Sequence, residues 1–307
     1  MQDQDLIKNF ITSLRNQNYS EYTVGNYEKD INDFLSFIRS EKMAPSLDRV
    51  NRSRIASNYI SYLSRNNYGA RSVNRKISSL RTFYNYLLKE ELIDINVFKE
   101  VNNVKTPKKL PHFAESEDLI FLINSIDTKT DLGFRNRLLI EMLFGTGMRV
   151  SEICNLEVMD IDLYQGNIRI FGKGKKERMA YLYDSLLDMC RSYILRVRPN
   201  LLYKKKDEEI TNLFINYKGG PLTPRGVRKI LDKEIERASL SLHLTPHMLR
   251  HSFATAMLNG GMDLRSVQTL LGHENLSTTQ IYTHISEANI KETFDKAFPR
   301  SKKTEDN

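Results

Sequence analysis

Cysteine is scarce in this chain, with Cys154 and Cys190 the only two among 307 residues. Two cysteines support neither a disulfide framework nor a thiolate zinc site, and each falls in a segment with amphipathic helical spacing that suits a reducing compartment. Long apolar runs are missing as well. Nothing approaches the roughly 20 residues that a membrane-spanning helix needs, and the opening MQDQDLIKNF carries acids where a secretory leader would be basic and then apolar. A cytoplasmic protein without membrane insertion is expected. One absence is local: between Arg49 and Lys89 there are nine Lys or Arg residues and no Asp or Glu. Solvated helices usually intersperse both signs, so this stretch reads as a surface that tracks phosphates.

The chain has the length and apolar content for two domains, at 40% hydrophobic residues. With 46 Lys and Arg against 38 Asp and Glu, the net charge of +8 favours a polyanionic partner. Helical spacing recurs in Leu6, Ile7, Phe10, Ile11 and Leu14, then, after an N-cap at Ser20, in Tyr27, Ile31, Phe34, Leu35 and Ile38. Two more helices follow, over Ile55–Leu63 and Val73–Leu88. The prolines and lysines of Lys105–Pro111 then break every pattern, as an interdomain linker would. Helices are expected next over Glu115–Ile126 and Leu132–Phe144, with a Gly145-Thr-Gly147 break before a short helix near Arg149. From Asp160 to Tyr183 the period changes to that of strands, and Asn167–Phe171 and Arg178–Leu182 flank a lysine-rich hairpin turn. Helices resume to a polar tail after Arg300.

Five of the six histidines lie between His243 and His284, and Tyr282 is the only tyrosine after Tyr217. Thr245-Pro246 reads as an N-cap with proline at the first helical position, which puts His247 and Arg250 in the opening turns on one face. A helix N-terminus and a guanidinium together suit a phosphate. Arg149 after its glycine turn, Lys173 on the hairpin tip and His273 after Leu271-Gly272 complete a set. Singly, each has a plainer explanation: Arg149 can pair with Glu152 one turn along, Lys173 can be solvated, and His273 can cap. Jointly they suit in-line displacement at a phosphodiester, where a nucleophile is positioned, nonbridging charge is neutralised and the leaving alkoxide is protonated. That chemistry needs no metal or other cofactor. A two-metal nuclease would want converging carboxylates, whereas Asp160 and Asp162 read as ordinary strand-edge residues. His243, His247 and His251 are spaced four and four, but Pro246 separates the first from the helix of the others, and no Glu follows His247 as in a zinc-protease helix.

The strings Gly145-Thr-Gly-Met-Arg149-Val-Ser-Glu152-Ile, Gly172-Lys173-Gly-Lys-Lys-Glu-Arg178, His247-Met-Leu-Arg250-His-Ser-Phe-Ala-Thr255, Leu270-Leu-Gly-His273 and Tyr282-Thr-His resemble the catalytic boxes of the tyrosine recombinase (phage integrase) family, in its order and spacing. More narrowly, the resemblance over residues 1 to about 298 is to the Xer recombinases that resolve chromosome dimers, and the ending Phe294–Arg300 resembles those of the XerC branch, although Phe298 stands where many relatives carry histidine.

The resemblance implies a mainly α fold with a small antiparallel sheet, forming a C-shaped clamp on double-stranded DNA. Its parts would be a helical, SAM-like core-binding domain (1–104), a linker (105–112), a catalytic domain (113–290) and a tail (291–307) that docks on a neighbouring protomer or on its own domain. It implies that Tyr282 attacks the scissile phosphate to form a 3′-phosphotyrosyl link, without ATP. Arg149 and Arg250 would hold the nonbridging oxygens, Lys173 would protonate the leaving 5′-oxygen, His247 would manage the tyrosine proton, His273 would bond the phosphate and Glu152 would orient the arginines. It further implies four protomers on two dif-like sites, a XerD-like second recombinase and activation by an FtsK-type translocase. An integrase of a phage, plasmid or transposon would share the chemistry, as would a relaxing topoisomerase. A DNA-binding module with a dead site would keep only the basic face.

Overall fold

The computed structural model of the chain describes residues 2–105, 116–172, 177–203, 209–240, 244–272 and 287–300, the side chains of 287–290 and 292 excepted. The chain divides into two compact units, Met1–Leu110 and Pro111–Asn307.

The first unit is built on four helices: α1 (Asp3–Asn16), α2 (Glu21–Ser40), α3 (Ser53–Arg65) and α4 (Ala70–Lys89). Ser20 caps α2 by accepting the amide of Thr23 at 3.2 Å. The apolar stripes read from the sequence converge on an aromatic core in which Phe34 meets Tyr59 and Phe98 edge to face, with centroids 4.9 and 5.2 Å away.

Part of the acid-free stretch is neutralised from elsewhere. Lys76 of α4 is only 2% exposed; its ammonium donates to Asp30 at 3.1 Å and Asp33 at 2.6 Å, both on α2. Arg75 also pairs with Asp30, and Arg81 donates to the carbonyls of Phe98 and Val101 at 3.0 and 2.7 Å. Lys76 and Arg75 thus tie α4 to α2, and Arg81 ties α4 to the segment that follows it, so the basic field is smaller than its sequence suggests. Arg52, Arg54, Arg65, Arg71 and Lys89 are exposed.

In the second unit, α5 (Ser116–Ser125) packs on α6 (Asp131–Thr146), which is buried on almost every side from Leu138 to Thr146. A helix apolar all round has no polar face to lie in water, so it becomes the central strut. Gly145 and Thr146 continue this helix, so the expected three-residue break narrows to Gly147 alone, the left-handed C-cap at φ +59°. After α7 (Val150–Asn155), strands β1 (Ile161–Asp162), β2 (Asn167–Phe171) and β3 (Glu177–Tyr181) form an antiparallel sheet in chain order. The β2–β3 register runs from Asn167 opposite Tyr181 to Phe171 opposite Glu177.

Helices α8 (Asp184–Ser192), α9 (Arg198–Leu202), α10 (Pro224–Arg237), α11 (Pro246–Asn259), α12 (Leu264–Leu271) and α13 (Glu287–Ala297) complete the unit. Cys154 and Cys190 are buried and free of disulfides; burial alone pushes the Cys154 thiol up to about 11. Phe294, Ala297 and Phe298 lie in the core of their own unit, Phe298 with its ring 5.2 Å from Phe144, and the Arg300 guanidinium is 2.7 Å from buried Glu141. No helix among the described residues is long and apolar enough to cross a membrane.

Candidate active site

The site is organised by the end of a helix. At the C-terminus of α12 the last carbonyls lack intrahelical partners and carry the negative end of the helix dipole. Three arginines from three other elements take them in succession. Arg178 of β3 donates to the Leu270 carbonyl at 2.6 Å, Arg250 of α11 to that of Leu271 at 2.5 Å, and Arg149, which opens α7, reaches that of Gly272 at 3.4 Å. Arg250 also donates to the Gly147 carbonyl at 2.6 Å, tying the α6–α7 turn to the same place.

Two glycines make this closeness possible. A Cβ on Gly147 would lie 2.5 Å from the Phe253 ring and 2.8 Å from Leu271, and one on Gly272 would lie 2.7 Å from Cδ of Arg178. Both sit at positive φ, +59° and +63°, where any other residue is strained.

One carboxylate serves the cluster. Glu152 accepts the main-chain N–H of Arg149 at 2.7 Å and a guanidinium N–H of Arg149 at 2.7 Å, and also Nη2 of Arg178 at 2.7 Å. The pairing of Arg149 with Glu152 is therefore real, and it leaves the Arg149 side chain 43% exposed. Burial pushes the Glu152 carboxyl upwards, but Arg178 and the Arg149 amide and guanidinium outweigh it and hold the carboxyl below its usual range. Arg250 is depressed to about 10, first by burial and then by the charges of Arg149 and Arg178, with Glu152 opposing. Among the described residues, three guanidiniums surround one carboxylate and two positive charges have no counter-ion, an arrangement that a phosphate group relieves.

Thr245 caps α11, accepting the Met248 amide at 3.2 Å, with Pro246 at the first position. His247 and Arg250 do not share an environment: Arg250 is buried at 6% exposure while His247 is exposed, because Arg250 turns inward to the two carbonyls. Of the expected set, Arg149 and Arg250 are thus brought together with Glu152, and His247 lies on the surface one turn before Arg250. Lys173, His273 and Tyr282 lie outside the described residues, as does His243. Asp162 is an acceptor for the turn amides of Tyr164 and Gln165, at 2.8 and 2.9 Å. The sequence reading gave no role to Arg178. Its signal was an arginine two residues from Ala180 on β3, on the side of the strand that the apolar pattern assigns to the core.

Comparison with known proteins gives two family matches: the phage integrase family over residues 113–289 and the phage integrase N-terminal SAM-like domain over 7–91. The chain is similar to a tyrosine recombinase XerC of Halalkalibacterium halodurans, 40% identical over 98% of this chain and 99% of that one. A tyrosine recombinase XerC of Oceanobacillus iheyensis is 44% identical over 96% of each. Among solved structures, the XerH site-specific recombinase bound to a palindromic difH substrate in a post-cleavage complex is similar at a TM-score of 0.64 and 25% identity, over 89% of this chain and 79% of that one.

Proposed function

Since the chain belongs to the phage integrase family, the tyrosine recombinases, we propose that its arginine cluster is the phosphate clamp of a recombinase that resolves chromosome dimers at a dif-like site. The chain is a site-specific recombinase that breaks and rejoins DNA. The Tyr282 phenol attacks the scissile phosphorus; the bond from phosphorus to the 5′-oxygen breaks as the bond to the tyrosine oxygen forms. Lys173 gives the leaving oxygen its proton, and His247 receives that of the phenol. Arg149 and Arg250 neutralise the nonbridging oxygens, with His273 as a further donor. Attack by a 5′-hydroxyl of the partner strand reverses each transfer, so the bond energy is retained.

The observation that carries the reading is the surplus of charge around Glu152. A phenol is a weak nucleophile near neutral pH, and fixed cations beside it stabilise both the phenolate and the crowded phosphoryl group. The exposed cations Arg52, Arg54, Arg65, Arg71 and Lys89 would follow the backbone of the duplex from the helical domain. The similarity to XerC proteins supports a XerD-like partner on the other half-site, a tetramer on two sites, an FtsK-type translocase as activator and a cytoplasmic location.

The test is incubation with a nicked suicide duplex bearing a dif-like site, with EDTA present, scored for an SDS-resistant protein–DNA adduct. Wild type should form it and Tyr282→Phe should not. An adduct of normal yield with Tyr282→Phe removes the assignment of the nucleophile, and one that requires added metal removes the metal-free chemistry.

A further inference from the structure

We infer that Arg178 is a positioning residue for the phosphate clamp, one that keeps Glu152 from cancelling the charge of Arg149. The inference rests on the reading of Arg149 as a phosphate ligand.

Arg178 does not itself face a substrate. Its side chain is 9% exposed, and its three nitrogens look into the protein: Nη1 to the Leu270 carbonyl at 2.6 Å, Nη2 to Glu152 at 2.7 Å, and Nε buried with no partner among the described residues. A buried guanidinium with an unsatisfied donor is costly, so its presence asks for a reason beyond packing. The division of labour at Glu152 supplies one. Oε1 takes the Arg149 guanidinium, while Oε2 is shared between the Arg149 main-chain N–H and Arg178. With Arg178 in place, one negative charge is spread over two cations and Arg149 keeps positive charge to offer outward from its half-exposed position. Without it, Arg149 and Glu152 form a neutral pair, the carboxylate loses one of the bonds that fix its plane, and the guanidinium is drawn back from the phosphate.

The same side chain joins the clamp to its surroundings. Arg178 lies on β3 opposite Ile170, its stem fills the space over Gly272, and its head holds the end of α12. The hairpin, the α7 start and the turn after α12 are thereby set against one another by one residue.

Single-turnover cleavage of the nicked duplex tests this with full-length Arg178→Met, Glu152→Gln, the double variant, Arg178→Lys and Gly272→Ala, with Arg149→Ala alongside. Arg178→Met should cleave on the order of tenfold to a hundredfold more slowly than wild type at unchanged DNA affinity. The double variant should be faster than Arg178→Met alone, because Glu152→Gln removes the charge that Arg178 was offsetting. Arg178→Lys, which keeps the charge but not the fork, should be intermediate. Gly272→Ala, which displaces the Arg178 stem, should resemble Arg178→Met. On a duplex with a neutral methylphosphonate at the scissile position the loss in Arg178→Met should shrink, since there is less charge to clamp.

A double variant as slow as the product of its single losses, with an equal loss on both duplexes, would mean that Arg178 only supports the fold. Cleavage at the wild-type rate by Arg178→Met overturns the inference directly. If Arg178→Met does not fold, Arg178→Lys and the pair Gly272→Ala with and without Glu152→Gln decide by the same criterion of rescue. Slow cleavage by Arg149→Ala with normal cleavage by Arg178→Met sinks this inference alone, whereas normal cleavage by Arg149→Ala sinks the clamp reading beneath it.

Discussion

Each unit of the chain buries a cluster of charges, and the two clusters are balanced differently. In the helical unit, Lys76 and Arg75 meet Asp30 and Asp33, with Ser79 donating a further bond to Asp30 at 2.8 Å. Two cations meet two carboxylates, and burial, which would lower Lys76, is outweighed by hydrogen bonds to Asp33 and Asp30 that hold it raised. In the catalytic unit three guanidiniums meet one carboxylate, and Arg250 is pushed down to about 10. The first cluster is complete as folded. The second, among the described residues, is short of negative charge, and such a deficit marks a site that a ligand completes, in accord with the way that perturbed groups gather at functional sites.

This contrast can be broken most forcefully in the catalytic unit. Arg149→Ala or Arg250→Ala should slow strand cleavage by about a hundredfold or more, by analogy with the loss of an oxyanion donor, in a single-turnover assay at saturating DNA. A tenfold loss or less would mean that the uncompensated charge is incidental. The helical unit should answer in the opposite way. Lys76→Met leaves buried Asp30 with Arg75 and Ser79 but without one of its two cations, and returns the 39% exposed Asp33 to solvent, so it should cost about 2 kcal/mol in a urea unfolding titration of the full chain, while cleavage by the fraction that remains folded is normal. Glu152→Ala sharpens the distinction by pH: the carboxyl is held below its usual range, so the stability it contributes is present above the unfolded value near 4.5 and is lost as pH falls through the lower folded value. Thermal scans from pH 6 downwards should show a steeper loss in wild type than in Glu152→Ala.

Smaller effects probe the same difference. Inorganic sulfate should occupy the open cluster, and at five times its dissociation constant should stabilise wild type by about 1 kcal/mol, a benefit absent from Arg149→Ala. Smallest of all, Arg71→Gln should reduce the dependence of DNA affinity on salt by about one counter-ion, because Arg71 is an exposed cation of α4. Arg75→Gln should not, because Arg75 is committed to Asp30. Equal slopes for the two variants would show that pairing does not withdraw an arginine from the DNA-facing surface.

Much of this was legible beforehand because it is local. Capping by Ser20 and Thr245, the antiparallel pairing of β2 with β3 and the central apolar helix all follow from side-chain type and spacing over a few residues. The boxes around Arg149, Arg250 and Tyr282 carried the family resemblance for the same reason, since each is a short string. What failed to read correctly involves distance along the chain. Lys76 and Arg75 counted as free cations because Asp30 and Asp33 are more than 40 positions away, and the helical spacing of His247 and Arg250 says nothing of the carbonyls of Gly147 and Leu271 that draw Arg250 inward.

By itself the sequence determined the helical and hairpin elements, the family and the inventory of groups fit for phosphoryl transfer, because propensity, periodicity and short motifs are properties of neighbouring residues. Only the tertiary structure decided which of the basic residues are neutralised, and that Arg178, Arg250 and Arg149 take the successive carbonyls of Leu270, Leu271 and Gly272 around a single Glu152. A charge acquires its function from what lies within a few ångströms of it, and in a folded chain those neighbours come from far away in sequence.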